Sequence, residues 1–112
     1  MRKLGKFTEH RISMLKNLCI SLIKYGKITT TLHRAKETRS MIEKMITRAK
    51  IGSLFNRRVL LSRLHNNEEV VRKLLLIGER NQSRPGGYIR ILKNGFRNDG
   101  SPLAYLEIID YN

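Results

Sequence analysis

The sequence predicts an α+β fold in two layers, with about four helices and a small sheet of about three strands. Apolar residues recur at helical spacing through the first two thirds of the 112-residue chain, whereas short β-branched runs lie at residues 27–31 and near the end. Hydrophobic residues make up 40%, enough for a core. We expect a basic N-terminal arm over residues 1–7 and a single α+β domain over residues 8–112.

The first predicted helix is followed by a strand. Thr8 is a suitable N-cap, and the helix is expected to run to about Tyr25, where Gly26 can end it. The segment 27–31 is short and rich in β-branched residues, which predicts one strand of the sheet early in the chain. The residues expected on the buried face of this helix are Ile12, Leu15, Leu18, Cys19, Leu22 and Ile23.

Two more helices are predicted in the middle of the chain. One runs from Leu32 to Lys50 with Thr31 as its N-cap, and another runs from Leu54 to Leu64. The apolar residues of 54–64 form no single stripe, so we expect burial on two sides. The residues expected on the buried face of 32–50 are Ala35, Thr38, Ile42, Met45, Ile46 and Ala49.

The last third is predicted to hold one helix and two strands. Asn66 with Glu69 resembles a capping box and predicts a helix that ends near Gly78. Strands are expected over residues 88–93 and 103–110, joined by a Gly-, Asn- and Pro-containing connection. The residues expected to be buried here are Val70, Val71, Leu74, Leu75 and Ile77 on the helix, and Ala104, Leu106 and Ile108 on one face of the last strand.

The charge points to a polyanionic partner. The chain has 23 Lys and Arg against 9 Asp and Glu, a formal net charge of +14. Residues 1–58 hold 15 basic and 3 acidic residues, while residues 59–112 hold 8 and 6. Same-sign charge destabilises a compact domain unless anions neutralise it. We therefore expect the anion-binding surface mainly in the first half.

Motifs for other kinds of chemistry are missing from the sequence. The histidines at 10, 33 and 65 lack metal-ligand spacing, and a single cysteine, Cys19, permits no intrachain disulfide or thiolate cage. No run of 18 apolar residues is present, so we expect no membrane span, and the absence of both a secretory signal and paired cysteines favours a reducing compartment. We expect no catalytic site, cofactor, metal, small-molecule substrate or membrane partner.

The type of nucleic-acid contact follows from composition. With 4 Tyr, 3 Phe and no Trp, sequence-specific reading by base stacking is disfavoured, and recognition of folded RNA by shape and backbone fits better. The pair Gly86-Gly87 could let backbone approach a phosphate, or it could form an ordinary turn. We expect Arg84, Tyr88 and Arg90 to face RNA, with Ile89 and Ile91 in the core.

Several ordered motifs resemble a known family. They are His10-Arg11, Asn17, Ile28-Thr29-Thr30-Thr31-Leu32, Arg34-Ala35-Lys36-Glu37, Arg39, Asn56-Arg57-Arg58, Arg84, Gly86-Gly87-Tyr88, Arg90-Ile91, Lys93, Gly95 and Arg97. Over almost its whole length the chain resembles the bacterial large-subunit ribosomal protein L seventeen family.

The resemblance implies a structural protein of the large ribosomal subunit. It implies binding to folded large-subunit rRNA near the peptide-exit side, contact with protein L thirty-two, and a cytoplasmic, bacterial-type ribosome, with an organellar ribosome also open. The residues expected to contact RNA are Arg2, Lys3, Lys6, His10, Arg11, Lys16, Asn17, Thr30, Arg34, Lys36, Arg39, Arg57, Arg58, Arg84, Gly86, Gly87, Tyr88, Arg90, Lys93 and Arg97.

Two other functions stay open from the sequence alone. The third and fourth helices could form a helix-turn-helix that binds DNA, although Glu68 and Glu69 would place negative charge near phosphates. The first helix could lie on a membrane surface, although its polar face is only modestly basic.

Overall fold

Four helices and three strands make up the part of the chain that the structure describes, residues 8–111 of a computed structural model. The predicted α+β class is confirmed, and the predicted arm over residues 1–7 lies outside the described residues. In chain order the elements are α1 (Thr8–Tyr25), β1 (Lys27–Thr31), α2 (Leu32–Ile51), α3 (Leu54–Arg63), α4 (Glu68–Arg80), β2 (Ile89–Phe96) and β3 (Pro102–Ile108).

The three strands form an antiparallel sheet in the order β1-β3-β2, so the last strand lies in the middle. Leu106 of β3 stands opposite Ile28 of β1 and Ile91 of β2. The helices cover this face, since Ala104, Leu106 and Ile108 are buried as predicted. Alternate residues point to the other face because successive strand side chains alternate.

Helix α2 is the element around which the helical layer is built, since it contacts α1, α3, α4 and all three strands. Its predicted buried face is confirmed at all six positions. Thr31 is the N-cap, and its Oγ1 accepts a hydrogen bond from the Arg34 N–H at 3.4 Å. The uncharged buried stripe leaves the basic side chains of α2 on its other sides.

Helix α4 continues two residues past its predicted end. Gly78 lies within the helix and is buried where α4 crosses α2. A Cβ at Gly78 would lie 3.0 Å from the carbonyl carbon of Ala49. The glycine therefore allows two helix backbones to approach closely, and the prediction that it ends the helix is wrong.

The start of α4 also differs from the prediction by one residue. Asn67 rather than Asn66 is the N-cap, with its Oδ1 accepting from the Val70 N–H at 3.2 Å. Asn66 instead adopts a left-handed conformation, with φ of 57°, in the turn before it. Asparagine tolerates this conformation better than most residues, which explains the shift.

Three apolar positions predicted to be buried are exposed. Ile12 on α1 is 36% exposed, and Leu54 and Phe55 are 64% and 69% exposed. The buried residues within α3, Asn56 and Leu60, lie one turn apart on the same side of the helix, so the expected burial on two sides is not found. Helix α1 begins at Thr8, so the residue predicted as the N-cap is the first residue of the helix.

In the hairpin of β2 and β3, strand β2 ends later than predicted, and β3 both begins and ends earlier than predicted. Strand β2 extends to Phe96, with a register shift between Lys93 and Phe96, where Gly95 has a φ of +75°. Strand β3 begins at Pro102 and ends at Ile108. A proline is compatible with the first residue of a strand.

Candidate nucleic-acid interface

The solvent side of α2 carries the densest set of predicted contacts. Arg34, Lys36 and Arg39 are exposed, and among the described residues none of them has an acidic partner within 4 Å. Thr31 fixes where the helix begins and therefore where these side chains point. Three unpaired cations close together on one rigid helix can neutralise phosphates without first breaking an ion pair.

Helix α1 contributes two kinds of basic or polar residue. His10 and Asn17 are exposed, and Lys16 is half-buried. Arg11 is different, because its Nη2 and Nε both donate to the carboxylate of Glu37 on α2, the latter at 3.1 Å. This half-buried ion pair joins α1 to α2, so Arg11 holds the two helices together.

The start of α3 presents two exposed arginines, Arg57 and Arg58. Ser53 is the N-cap, and its Oγ accepts from the Asn56 N–H at 3.2 Å. The Asn56 side chain is nearly buried and accepts from Arg48 Nη1 at 2.9 Å. Arg48 thereby orients the first turn of α3 relative to α2.

The prediction that Tyr88 faces RNA is wrong. Its side chain is 1% exposed and its hydroxyl accepts from Lys50 Nζ at 3.0 Å. Burial raises the pKa of Tyr88, but hydrogen bonds from Thr47 and Lys50 outweigh it and lower the pKa below its ordinary value. Strand β2 begins only at Ile89, so strand alternation does not govern Tyr88, whose ring packs in the core.

The segment before β2 is anchored to α2 and α4. Lys50 Nζ donates to the carbonyl oxygen of Arg84 at 2.6 Å. Arg84 itself bonds Asn81 Oδ1 at 3.0 Å and Asp110 Oδ2 at 2.5 Å. Between these anchors, Gly87 has a φ of +66°, and neither Gly86 nor Gly87 would place a Cβ within 4 Å of other atoms. The glycine pair is therefore held on a fixed frame and faces open space.

A carboxylate that the sequence analysis missed completes this frame. Glu43 of α2 accepts the N–H groups of Tyr88 and Ile89 at 3.2 and 3.0 Å. It lies one turn before Thr47 on the helix, but its partner is 45 residues away in sequence. No local signal could have revealed such a contact.

The hairpin carries three predicted contacts, and Thr30 of β1 carries a fourth. Lys93 is exposed, Arg90 is exposed and pairs with Glu107 at 3.2 Å, and Thr30 is half-buried. Arg97 pairs with Asp99 at 2.7 Å, and this hydrogen bond holds the pKa of the carboxyl well below its usual range. Ile89 is buried and Arg90 exposed, so the predicted orientation of these two is confirmed.

Three basic residues outside the predicted set line a groove with Lys36: His33 and Lys44 on α2 and Arg63 on α3. Lys36 and Lys44 are two turns apart, so helical spacing could have placed Lys44 beside Lys36. The position of Arg63 depends on the α2–α3 packing and could not be read from spacing. Arg2, Lys3 and Lys6 lie outside the described residues.

Reactive and metal-binding groups form no site in the described residues. Cys19 is fully buried, and burial raises the pKa of its thiol to about 12. Residues 8–111 contain no cluster of three or more His, Cys, Asp or Glu side chains arranged to hold a metal. Within the same residues, no helix is long and apolar enough to cross a membrane.

Comparison with known proteins gives a consistent result. Residues 14–109 match the family described as ribosomal protein L17. A "Large ribosomal subunit protein bL17" of Wolbachia pipientis (subsp. Culex pipiens, strain wPip) is 55% identical over 111 residues, 96% of this chain and 78% of the relative. The protein of the same name from Orientia tsutsugamushi (strain Boryong) is 47% identical over 112 residues, 99% of this chain and 77% of the relative.

Proposed function

The chain belongs to the ribosomal protein L17 family, and from this premise we propose that it binds and stabilises folded large-subunit rRNA through a basic surface centred on α2. The resemblance predicted from the sequence is confirmed. The protein is a structural constituent of the large ribosomal subunit and not an enzyme, and the DNA-binding alternative is not favoured. The bacterial large subunit is a cytoplasmic particle, as predicted.

One observation carries the proposed binding surface: α2 buries an uncharged stripe and leaves Arg34, Lys36 and Arg39 exposed without acidic partners among the described residues. Elsewhere, Arg90 and Arg97 are paired with carboxylates. A paired arginine must exchange its partner for phosphate, whereas an unpaired one only releases counterions. The strongest phosphate contacts are therefore expected on α2.

The remaining residues predicted to contact RNA fall into two groups, according to whether their side chains already bond other residues of the protein. Those with exposed side chains are further candidates for RNA contact, whereas Arg11, Arg84 and Tyr88 bond other residues of the protein and stabilise the fold. The exposed candidates are His10, Asn17, Arg57, Arg58 and Lys93.

A neighbouring ribosomal protein would fit a separate region. Ile51, Leu54 and Phe55 at the α2–α3 junction are 71%, 64% and 69% exposed. Several large apolar side chains exposed together are typical of protein contact surfaces. This supports a protein neighbour there, and protein L thirty-two on the peptide-exit side of the subunit is the partner that we propose.

The test compares charge-matched double variants in salt-dependent binding to folded large-subunit rRNA. Arg34→Gln with Arg39→Gln should lower the slope of log K against log salt by about 1.4–1.8, corresponding to two lost phosphate contacts. Lys24→Gln with Lys27→Gln removes the same charge from exposed positions where α1 ends and β1 begins, and should change the slope little. Equal slope changes in both double variants would refute a surface centred on α2.

A further inference from the structure

A groove between α1, α2 and α3 combines basic and apolar side chains, and the apolar ones are not explained by a basic surface that binds phosphate. It measures about 560 Å³ and is open to solvent. This volume lies within the range of about 300–1,000 Å³ typical of pockets that hold small molecules. Its walls bring together side chains from three helices, so the groove depends on how the helices pack.

The rim of the groove is positively charged. Lys36, Lys44 and Arg63 are exposed along it, and none forms an ion pair with another described residue. The acidic residue on its wall, Glu37, is bonded by Arg11 and by His33 at 3.2 Å. The field at the rim is therefore that of three cations whose charge is not offset by this carboxylate.

The floor of the groove is apolar. Leu15 of α1 is 4% exposed and Met41 of α2 is half-buried, and both line the groove. Methionine is flexible and polarizable, so it can adapt to a flat ring placed against it. An apolar floor below a cationic rim matches a ligand with an uncharged planar part and attached anionic groups.

We propose that this groove binds one unstacked nucleotide of a single-stranded rRNA segment, with its base against Leu15 and Met41 and its flanking phosphates on Lys36, Lys44 and Arg63. The proposal rests on the proposed rRNA-binding function and adds a defined site to it. A base within a duplex is stacked and paired and cannot enter, whereas a loop or bulge can turn a base outward. Charge complementarity favours RNA over an apolar peptide as the occupant.

The contribution of the base is tested with the full chain and two oligoribonucleotides of eight residues, one normal and one with all bases removed. Both carry the same phosphates. The normal oligonucleotide should bind about fivefold more tightly, as expected when roughly 40 Å² of apolar surface is buried. Equal affinities would overturn the proposal, since they would show that the groove binds phosphate alone.

A blocking variant locates the site. Ser40 lies on the exposed wall of the groove, so Ser40→Tyr should fill the floor and reduce the affinity for the normal oligonucleotide to that of the abasic one. The control Leu76→Tyr adds the same ring to an exposed position of α4 and should retain the preference for bases. Retained preference in Ser40→Tyr would overturn the proposal.

A third pair of variants tests the rim. Lys44→Gln should reduce the salt slope for the single strand by about 0.7, the value for one phosphate contact, whereas Lys24→Gln should not. Binding of folded large-subunit rRNA without any preference for bases in the oligonucleotides would refute the groove and keep the proposed function. If the wild-type protein does not bind folded large-subunit rRNA, the proposed function itself is refuted.

Discussion

The glycine pair before β2 separates backbone strain from steric clash, because its two members differ in conformation while both have open space at the Cβ position. Gly87 has a φ of +66°, in the left-handed region, whereas Gly86 does not have a positive φ. Neither would place a Cβ within 4 Å of another atom. Alanine at Gly87 therefore introduces backbone strain without a steric clash, whereas alanine at Gly86 introduces neither strain nor a clash.

We expect Gly87→Ala to lower the free energy of unfolding by about 1 kcal/mol or somewhat more, the usual cost of forcing alanine into this region. For a chain of 112 residues this lowers Tm by about 4 °C. Gly86→Ala should leave Tm unchanged or raise it slightly, because it reduces only the entropy of the unfolded chain. Gly87→Asn should recover part of the loss.

The assays are urea unfolding for the free energy and thermal unfolding for Tm, both followed by circular dichroism at one salt concentration for all variants. Equal losses at Gly86 and Gly87, or no loss at Gly87, would refute the argument from φ. The same proteins can then be tested for incorporation into large subunits. If Gly86→Ala folds normally but incorporates poorly, the backbone at Gly86 lies against RNA.

Three further predictions follow from other contacts. Glu43→Gln should lower the free energy of unfolding by about 1–3 kcal/mol in the same urea assay, because an amide nitrogen then faces a backbone donor, whereas Glu79→Gln at an exposed site should not. Arg90→Ala should change stability by less than about 1 kcal/mol, since its pair with Glu107 is exposed, while it weakens rRNA binding in a filter assay; a destabilised fold with normal binding would contradict this. Burial raises the pKa of Cys19 above its unfolded value of 9.0 to about 12, so the protonated thiol stabilises the fold below pH 9 and this contribution is lost between pH 9 and 12, by about 1.4 kcal/mol per unit. As the pH rises through that range, the free energy of unfolding should therefore fall more steeply for the wild type than for Cys19→Ala.

Elements with a strong local signal were predictable from the sequence. The face of α2, the cap at Thr31 and the alternation of Ala104, Leu106 and Ile108 follow from periodicity and from a hydroxyl at a helix start. Each of these depends on residues within a few positions of one another.

Features that depend on distant contacts were not predictable. Gly78 has the sequence signature of a helix end, and only the crossing of α2 over α4 makes it an interior residue. Strand alternation predicts that Tyr88 points outward, but the strand begins after it, and Lys50 and Thr47 of α2 supply hydrogen-bond partners for its hydroxyl. Arg11 carries the charge of an RNA contact, yet Glu37, 26 residues away, engages it.

The order of the sheet has a consequence for how this protein is made. Strands β1 and β2 each pair with β3, the last of the described elements to leave the ribosome during synthesis. Until β3 emerges, both earlier strands have backbone donors and acceptors without ladder partners, and the helices lack the surface that closes their core. The nascent chain is thus expected to collect its helices first and to complete the sheet in a late, cooperative step. During this interval the excess positive charge of the first 58 residues is expected to keep nascent copies apart by electrostatic repulsion and so to oppose their aggregation.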